Sequence, residues 1–420
     1  NVNQWDYCVT FVEVQDPNGA CGGTGSRMIG GKIATETDRP VSDVRVQLSG
    51  QMQQMRTTGA DGNFHFGSVQ SGGDYTLAPL RDDDPLNGVT TFDLVLISKH
   101  ILNVQRLDSP YKIIAADANN SGQVTTFDLV ALRKLILRVD DQLPNNTSWR
   151  FVDKSFAFQN ANDPWVGDRF REVRNFNNLT LDQLNADFVA IKVGDVNGSA
   201  KPNQLSSVDD RSYNETLVLS TADQSVKAGK EFRVSFTAGE EVMGYQFTME
   251  YDSKSVEVVA IEEGLAKGEN FHVIAEQGVI TTSWNEDVAT QGKEMFTLVL
   301  RAKADIKVSE VLGVSSSFTA AEAYTKTGEP MNVALNFGNG VVSQAGFALY
   351  QNTPNPFKEL TTIGFNLPEA STATLTIMDV SGKVLKVVKA PYAKGYNEVV
   401  LKRSELGVSN GVLSYRIETG

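Results

Sequence analysis

The sequence predicts a mainly β, multidomain chain: tandem β-sandwiches with one small α-helical module between them. Three observations carry that expectation. Period-two alternation punctuated by Gly, Asp and Asn turn signals recurs from about 26 to 80, from 214 to 345 and from 346 to 420, as half-buried antiparallel strands require. A helical period replaces it only between 81 and 140, where Leu94, Ile97 and Ile101, then Leu129, Leu132 and Ile136, lie one turn apart. The chain has 420 residues, 41% of them hydrophobic and 21% charged, which is material for several cores and about two to four domains.

The formal charge of −13 argues against nucleic acid and anionic membrane as partners and favours cations. No apolar run has transmembrane length, and Asn1-Val2-Asn3-Gln4-Trp5 has neither the basic start nor the apolar stretch of a signal peptide. The chain is thus expected to be a mature product or a piece of a longer precursor.

Residues 1–25 hold one strand-like run, Tyr7 to Val14, followed by a turn and a glycine-rich stretch. A lone strand cannot bury itself, so it is expected to end a preceding domain or to pair with another molecule. Cys8 and Cys21 suit one local disulfide, worth about 3 kcal/mol in the chain-entropy model; two free thiols are the alternative. A disulfide would imply an oxidising, extracytoplasmic location.

In residues 26–80, short alternating runs lie between Gly-Gly and Asp-Gly turns: Gly30-Gly31-Lys32-Ile33, Val44 to Leu48, Asp61-Gly62-Asn63-Phe64-His65-Phe66 and Tyr75-Thr76-Leu77. They predict a small antiparallel sandwich. Their order resembles the prealbumin-like modules called carboxypeptidase regulatory-like or collagen-adhesin B-type. That resemblance implies a spacer or stalk without catalysis.

Residues 81–200 form the next expected unit. Val-Thr-Thr-Phe-Asp-Leu-Val occurs at Val89–Val95 and again at Val124–Val130. Running into the second copy, Asp117, Asn119, Ser121, Gly122, Thr125 and Asp128 occupy positions 1, 3, 5, 6, 9 and 12 of a calcium loop, with Gln123 at the backbone-ligand position. A hard cation needs six or more oxygens, and a glycine at position 6 lets alternate side chains converge. In the first copy Asp82, Asp84, Thr90 and Asp93 keep that register, but positions 5 and 6 are Leu86 and Asn87. Leucine offers no oxygen, so this site must be weak, shifted or completed from elsewhere. The later string Gly194-Asp195-Val196-Asn197-Gly198 is either a half-loop supplying the missing ligands or a polar turn.

A loop feeding one helix, repeated, resembles a type I dockerin. The resemblance implies two calcium ions, two antiparallel helices and a surface that docks on a cohesin. Its partner-reading positions map to Thr91, Phe92, Ser98 and Lys99, and to Thr126, Phe127, Arg133 and Lys134. Phe92 and Phe127 are then exposed anchors, or else both are buried where the helices meet. His100 takes the place Leu135 has in the second helix, so packing or a surface role is expected of it. The stretch 143–200 is expected to pack on the calcium unit as an extension, with Trp149 and Phe188 in its core. Residues 201–213 read as a polar linker.

In residues 214–345, alternating runs such as Phe232-Val234-Phe236, Tyr245-Phe247-Met249-Tyr251 and Phe296-Leu298-Leu300 imply a larger sandwich. With Gly244-Tyr245-Gln246-Phe247, Gly278-Val279-Ile280 and Ser283-Trp284 in order, this region resembles a cohesin. A chain with dockerin-like and cohesin-like parts invites contact within one molecule or between two. Residues 346–420, from Leu349-Tyr350-Gln351-Asn352-Thr353-Pro354-Asn355-Pro356-Phe357 to Tyr415-Arg416-Ile417-Glu418-Thr419-Gly420, are similar to the C-terminal sorting domain of type IX secretion cargo. That likeness implies passage across the outer membrane of a Gram-negative cell and, often, surface attachment.

Catalysis has little support. His65, His100 and His272 are far apart in sequence, and no paired-cysteine or His-Glu-x-x-His metal pattern occurs. Gly407-Val408-Ser409-Asn410-Gly411 matches a nucleophile-elbow string but lacks its strand-to-helix setting. The expected protein is a non-enzymatic, calcium-stabilised, secreted surface protein for adhesion or assembly, with self-association into a head-to-tail filament by strand donation and a surface polysaccharide as further expected partners. The alternatives are a cohesin and dockerin scaffold recruiting polysaccharide-degrading enzymes, and the non-catalytic end of a larger secreted enzyme.

Overall fold

A computed structural model describes residues 25–203, 213, 215–338 and most of 342–419. The Tyr7 to Val14 run, Cys8, Cys21 and residues 204–212 of the linker lie outside the described residues. The chain is mainly β, as the alternation predicts, with helices concentrated between 91 and 136.

The first five strands are β1 (Ser26–Ala34), β2 (Arg45–Gly50), β3 (Gln54–Thr57), β4 (Asn63–Gln70) and β5 (Tyr75–Leu80). Helices α1 (Thr91–Ile101), α2 (Pro110–Ala116) and α3 (Thr126–Ile136) follow, then β6 (Trp149–Asp153), β7 (Arg174–Phe176) and β8 (Phe188–Lys192). Two four-stranded sheets result, ordered β4-β1-β8-β6 and β3-β2-β5-β7. Strand β8 runs parallel to β1, with Ile33 opposite Phe188, and β7 pairs Phe176 with Tyr75.

The small sandwich therefore does not close at residue 80. Three of its strands come from the segment expected to extend the calcium unit. Trp149 and Phe188 are buried as expected, but they share a core with Ile33, Val46 and Phe66 of the small sandwich. Val152, Ile191 and Val193 belong instead to the helical core with Leu94, Ile114 and Leu132. Every position of β6 and β8 is buried, because one sheet face meets the sandwich and the other the helices; such two-sided burial replaces alternation with continuous apolar runs.

Both repeated helices begin on a capping box. The Asp93 carboxylate accepts the Thr90 amide at 2.9 Å and that of Asp128 accepts the Thr125 amide at 2.7 Å. Just beyond each helix, Asn103 and Arg138 take left-handed backbone, at φ 57° and 59°. Periodicity does not mark helix α2; Ser109 caps it by accepting the Tyr111 amide, and Pro110 is its first residue.

The large sandwich comprises β9 (Thr216–Ser220), β10 (Ser225–Val226), β11 (Glu231–Ala238), β12 (Gly244–Tyr251), β13 (Val256–Glu263), β14 (Phe271–Ile274), β15 (Val279–Asn285), β16 (Glu294–Ala302), β17 (Ile306–Lys307), β18 (Leu312–Ser315), β19 (Glu322–Tyr324), β20 (Pro330–Asn336) and β21 (Val342–Gln344). The main sheet path is β13-β16-β11-β9-β20-β19-β12-β15-β14. It folds over a core that includes Phe236, Tyr245, Phe247, Trp284 and Phe296. On β11 alternate residues face inward, whereas β12 and β15 are buried almost throughout. Their outer face is covered by the helical unit.

The last unit pairs sheet β22 (Ala348–Leu349), β23 (Leu360–Leu367), β26 (Gly395–Lys402) with sheet β25 (Val384–Tyr392), β24 (Ser371–Asp379), β27 (Leu413–Thr419). Ile363, Phe365, Leu375 and Ile377 fill the space between them. No helix among the described residues is long and apolar enough to cross a membrane.

Candidate metal loops and an internal docking face

Two loops carry the same hydrogen-bond pattern, one drawn from a single segment and the other from two. In the contiguous loop, the Asp117 carboxylate accepts the amides of Ser121 and Gly122, each at 2.8 Å. Asp128 Oδ1 accepts the Asn119 amide at 3.1 Å, and the Ser121 hydroxyl donates to the Gln123 carbonyl at 3.1 Å. In the split loop, Asp195 accepts the amides of Ser199 and Ala200 at 3.0 and 2.8 Å. Asp93 Oδ1 accepts the Asn197 amide at 3.2 Å, and the Ser199 hydroxyl donates to the Gly88 carbonyl at 3.0 Å. Asp195, Asn197 and Ser199 thus stand where Asp117, Asn119 and Ser121 stand in the contiguous loop. Gly88, Thr90 and Asp93 match Gln123, Thr125 and Asp128.

Asp82 and Asp84 are not part of this arrangement. Asp82 accepts the Ser148 amide at 2.8 Å and fastens the start of β6. Asp84 sits in a left-handed turn at φ 43°. Asn87, at the place of the loop glycine, braces Lys201 through both its backbone groups at 2.8 Å. The leucine at position 5 offers no oxygen, and in the hydrogen-bond pattern the half-loop at 195–199 stands where the first half of the contiguous loop stands.

Asp93, Asp117 and Asp128 are wholly buried and Asp195 nearly so. No ion pair among the described residues involves any of them. Burial pushes the Asp93 carboxyl well above the usual carboxylate range, and the Asp195 charge adds to the effect. Asp195 and Asp128 are likewise raised, chiefly by burial. Carboxylates gathered this way are unfavourable alone, and a divalent cation reverses the sign of that interaction. Each loop offers two carboxylates and neutral oxygens from Asn, Ser, Thr and backbone, a donor set that fits calcium. No cluster of three or more His, Cys, Asp or Glu side chains forms among the described residues.

Three residues that support the split loop carry no local signal. Arg39 donates to the carbonyls of Gly198 and Ala200 at 2.6 and 3.0 Å. Arg81 ties Ser42 to Pro202 through its guanidinium, 2.9 Å to each carbonyl. Lys192 is buried, donates to the Pro85 carbonyl at 2.7 Å, and has its ammonium pulled down to about 8 by desolvation. These carbonyl partners are distant in sequence, so no motif marks them.

The predicted partner-reading residues divide between the two copies. The Thr91 amide donates to Gln246 Oε1 at 2.6 Å and its hydroxyl meets that of Ser283 at 2.7 Å. Phe92 stacks on Tyr324, ring centroids 5.1 Å apart, beside Val95 and Met243. Arg133 donates to Asn285 at 2.7 Å, and Ser98 meets the Asn285 amide at 3.4 Å. At the other end of the contact, Thr281 donates to the Leu137 carbonyl at 2.6 Å and Thr319 to the Ile136 carbonyl at 2.7 Å. The helical unit is thereby seated on the large sandwich of its own chain. Thr126, Phe127 and Lys134 of the second copy are exposed, Phe127 by 74%, and Lys99 is half-buried. Neither reading of the phenylalanines holds for both: Phe92 is covered by the large sandwich, while Phe127 faces solvent.

No family model matches the chain, and no curated protein does. Among solved structures it is similar to a type I cohesin–dockerin complex from Clostridium thermocellum, at 13% identity over 33% of this chain and 97% of that one, TM-score 0.24. It is similar to a cohesin in complex with a dockerin from Acetivibrio cellulolyticus, at 18% identity over 31% and 96%, TM-score 0.24. A third likeness is to a type II cohesin dyad from an adaptor scaffoldin of the same organism, at 10% identity over 40% and 62%, TM-score 0.25.

Proposed function

We propose that this is a non-enzymatic structural or adhesive protein of a Gram-negative cell surface, exported by type IX secretion and stiffened by two calcium ions. The observation that supports it is the matching hydrogen-bond pattern of the contiguous and split loops. One ion would be held by Asp117, Asn119, Ser121, the Gln123 carbonyl and Asp128, with Thr125 at the ninth position. The other would be held by Asp195, Asn197, Ser199, the Gly88 carbonyl and Asp93, with Thr90 at the ninth. Calcium supplies charge compensation there and performs no reaction. With two carboxylates per loop, affinity in the extracellular range, roughly 10⁻⁵ to 10⁻³ M, is expected. Because the second site draws ligands from both ends of the 81–200 segment, its ion closes that segment as a ring and stiffens its join to the small sandwich.

The sorting role is assigned to 346–420 on its motifs, and assembly into a filament to β25 and β27, the edge strands of their sheet among the described residues. Recruitment of separate enzymes is the weaker reading, since the face of β12 and β15 that would receive a partner is covered by the chain's own helices. The test is native mass measurement of the full chain with and without calcium. Two bound ions support the proposal; a chain that takes up none refutes it.

A further inference from the structure

We infer that the split loop, and not the contiguous one, holds the helical unit closed over the β12 and β15 face, which makes that face an interaction surface uncovered when the split loop loses its ion. This rests on the calcium reading above and adds a regulated surface to it.

The coupling is built into one helical turn. Thr90 and Asp93 belong to the split loop, and the two residues between them, Thr91 and Phe92, make the central contacts to Gln246, Ser283 and Tyr324. The Tyr324 ring stacks on Phe92 while its hydroxyl donates to Glu322 at 2.8 Å, so the covered face is shaped around this helix start. Asp93 is wholly buried and joined to the half-loop through the amides of Val196 and Asn197. The half-loop is in turn fastened to the small sandwich by Arg39. Without the ion the join between the two segments loses the shared oxygen ligands that Asp93 and Asp195 would supply and keeps only hydrogen bonds, which favours separation of the segments that carry them. Separation displaces the start of α1, and with it Thr91 and Phe92.

The contiguous loop lacks this connection. The residues at its equivalent turn, Thr126 and Phe127, are exposed. Helix α3 reaches the large sandwich from its other end, through Arg133 and the carbonyls of Ile136 and Leu137. Loss of the ion at Asp117 and Asp128 therefore loosens the start of α3 without displacing a contact residue. The uncovered face would suit a helix start that presents a hydroxyl followed by an aromatic ring, the chemistry it holds now.

Ser283, wholly buried against Thr91, reports the state of the face. In the full chain carrying Ser283→Cys, thiol labelling at position 283 is followed by peptide mass in calcium, with Asp195→Ala or Asp117→Ala added. Native mass should count two ions in the parent and one in each variant. Asp195→Ala should speed labelling by about ten-fold or more, while Asp117→Ala stays within about two-fold of the parent. If two ions bind but both variants open the face, or neither does, the selective coupling is wrong and the calcium reading stands. If the parent binds no calcium, both fail. Should Asp195→Ala not fold, Arg39→Met, which reaches the loop only through two carbonyls, takes its place: labelling that slows as calcium is raised supports the coupling, and labelling indifferent to calcium overturns it.

Discussion

The carboxylate of Asp93 accepts the backbone amide of Val196 at 2.9 Å across 103 residues of chain. Between those two residues lie the rest of the first repeated helix, the whole of the second, the contiguous loop and three strands of the small sandwich. A bond at this place converts a helix cap into a closure for the whole segment, and several consequences can be measured.

Calcium removal should lower stability. Each ion bound only by the folded chain contributes about 2.7 kcal/mol at a hundred-fold excess over its dissociation constant. Scanning calorimetry in excess chelator should show a lower melting temperature than in calcium, and proteolysis should shift to the 81–200 segment. An unchanged thermogram would count against bound calcium.

The two acidic residues that keep loop register in sequence but not in space should be dispensable for metal. Asp82→Asn should retain two ions by native mass, because Asp82 binds the Ser148 amide. Asp128→Asn should lose one, because its carboxylate closes the contiguous loop. Loss of an ion in the first variant, or two ions kept in the second, would reverse the assignment.

The duplicated phenylalanines should differ in energetic weight. Phe92→Ala removes a ring stacked on Tyr324 and is expected to cost roughly 1–3 kcal/mol. Phe127→Ala removes an exposed ring and should stay within about 0.5 kcal/mol. Urea titrations of the two variants in calcium give the comparison directly.

Phe188 should matter to the small sandwich although it lies over a hundred residues beyond that sandwich's first strands. Its side chain fills the core with Ile33 and Phe66, so Phe188→Ala is expected to cost about 3–5 kcal/mol. A near-neutral value by chemical denaturation would mean that β8 is not integral to that core.

His100 should give a pH signature. Its Nδ1 accepts the Leu107 amide at 3.1 Å, and burial, helped by the Arg106 charge, lowers its pKa from the ordinary value. In the unfolded chain the group titrates near about 6.5, so between that value and the lower folded one the unfolded state binds more protons. The histidine's contribution is therefore complete above the unfolded value and is lost as pH falls through the folded one. His100→Gln should flatten stability against pH in that window; an unaltered slope would show that the ring does not sense it.

The sequence by itself determined the local chemistry. An exact seven-residue repeat, the oxygen spacing from Asp117 to Asp128 and the alternation on either side specify loops, helices and strands, because each depends on residues within a turn or two of one another. The Asp-x-Asn string at Asp195 and Asn197 was legible, for the same reason, only as a half-loop or a polar turn. Tertiary structure decided which carboxylate that half-loop meets, that Asp82 and Asp84 stand aside, that β6, β7 and β8 complete a sandwich begun at Ser26, and that one copy of the repeat is covered while the other faces solvent. Identical residues in Thr91-Phe92 and Thr126-Phe127 cannot encode that last difference. It arises from the large sandwich, whose β12 and β15 face is joined by hydrogen bonds to the first.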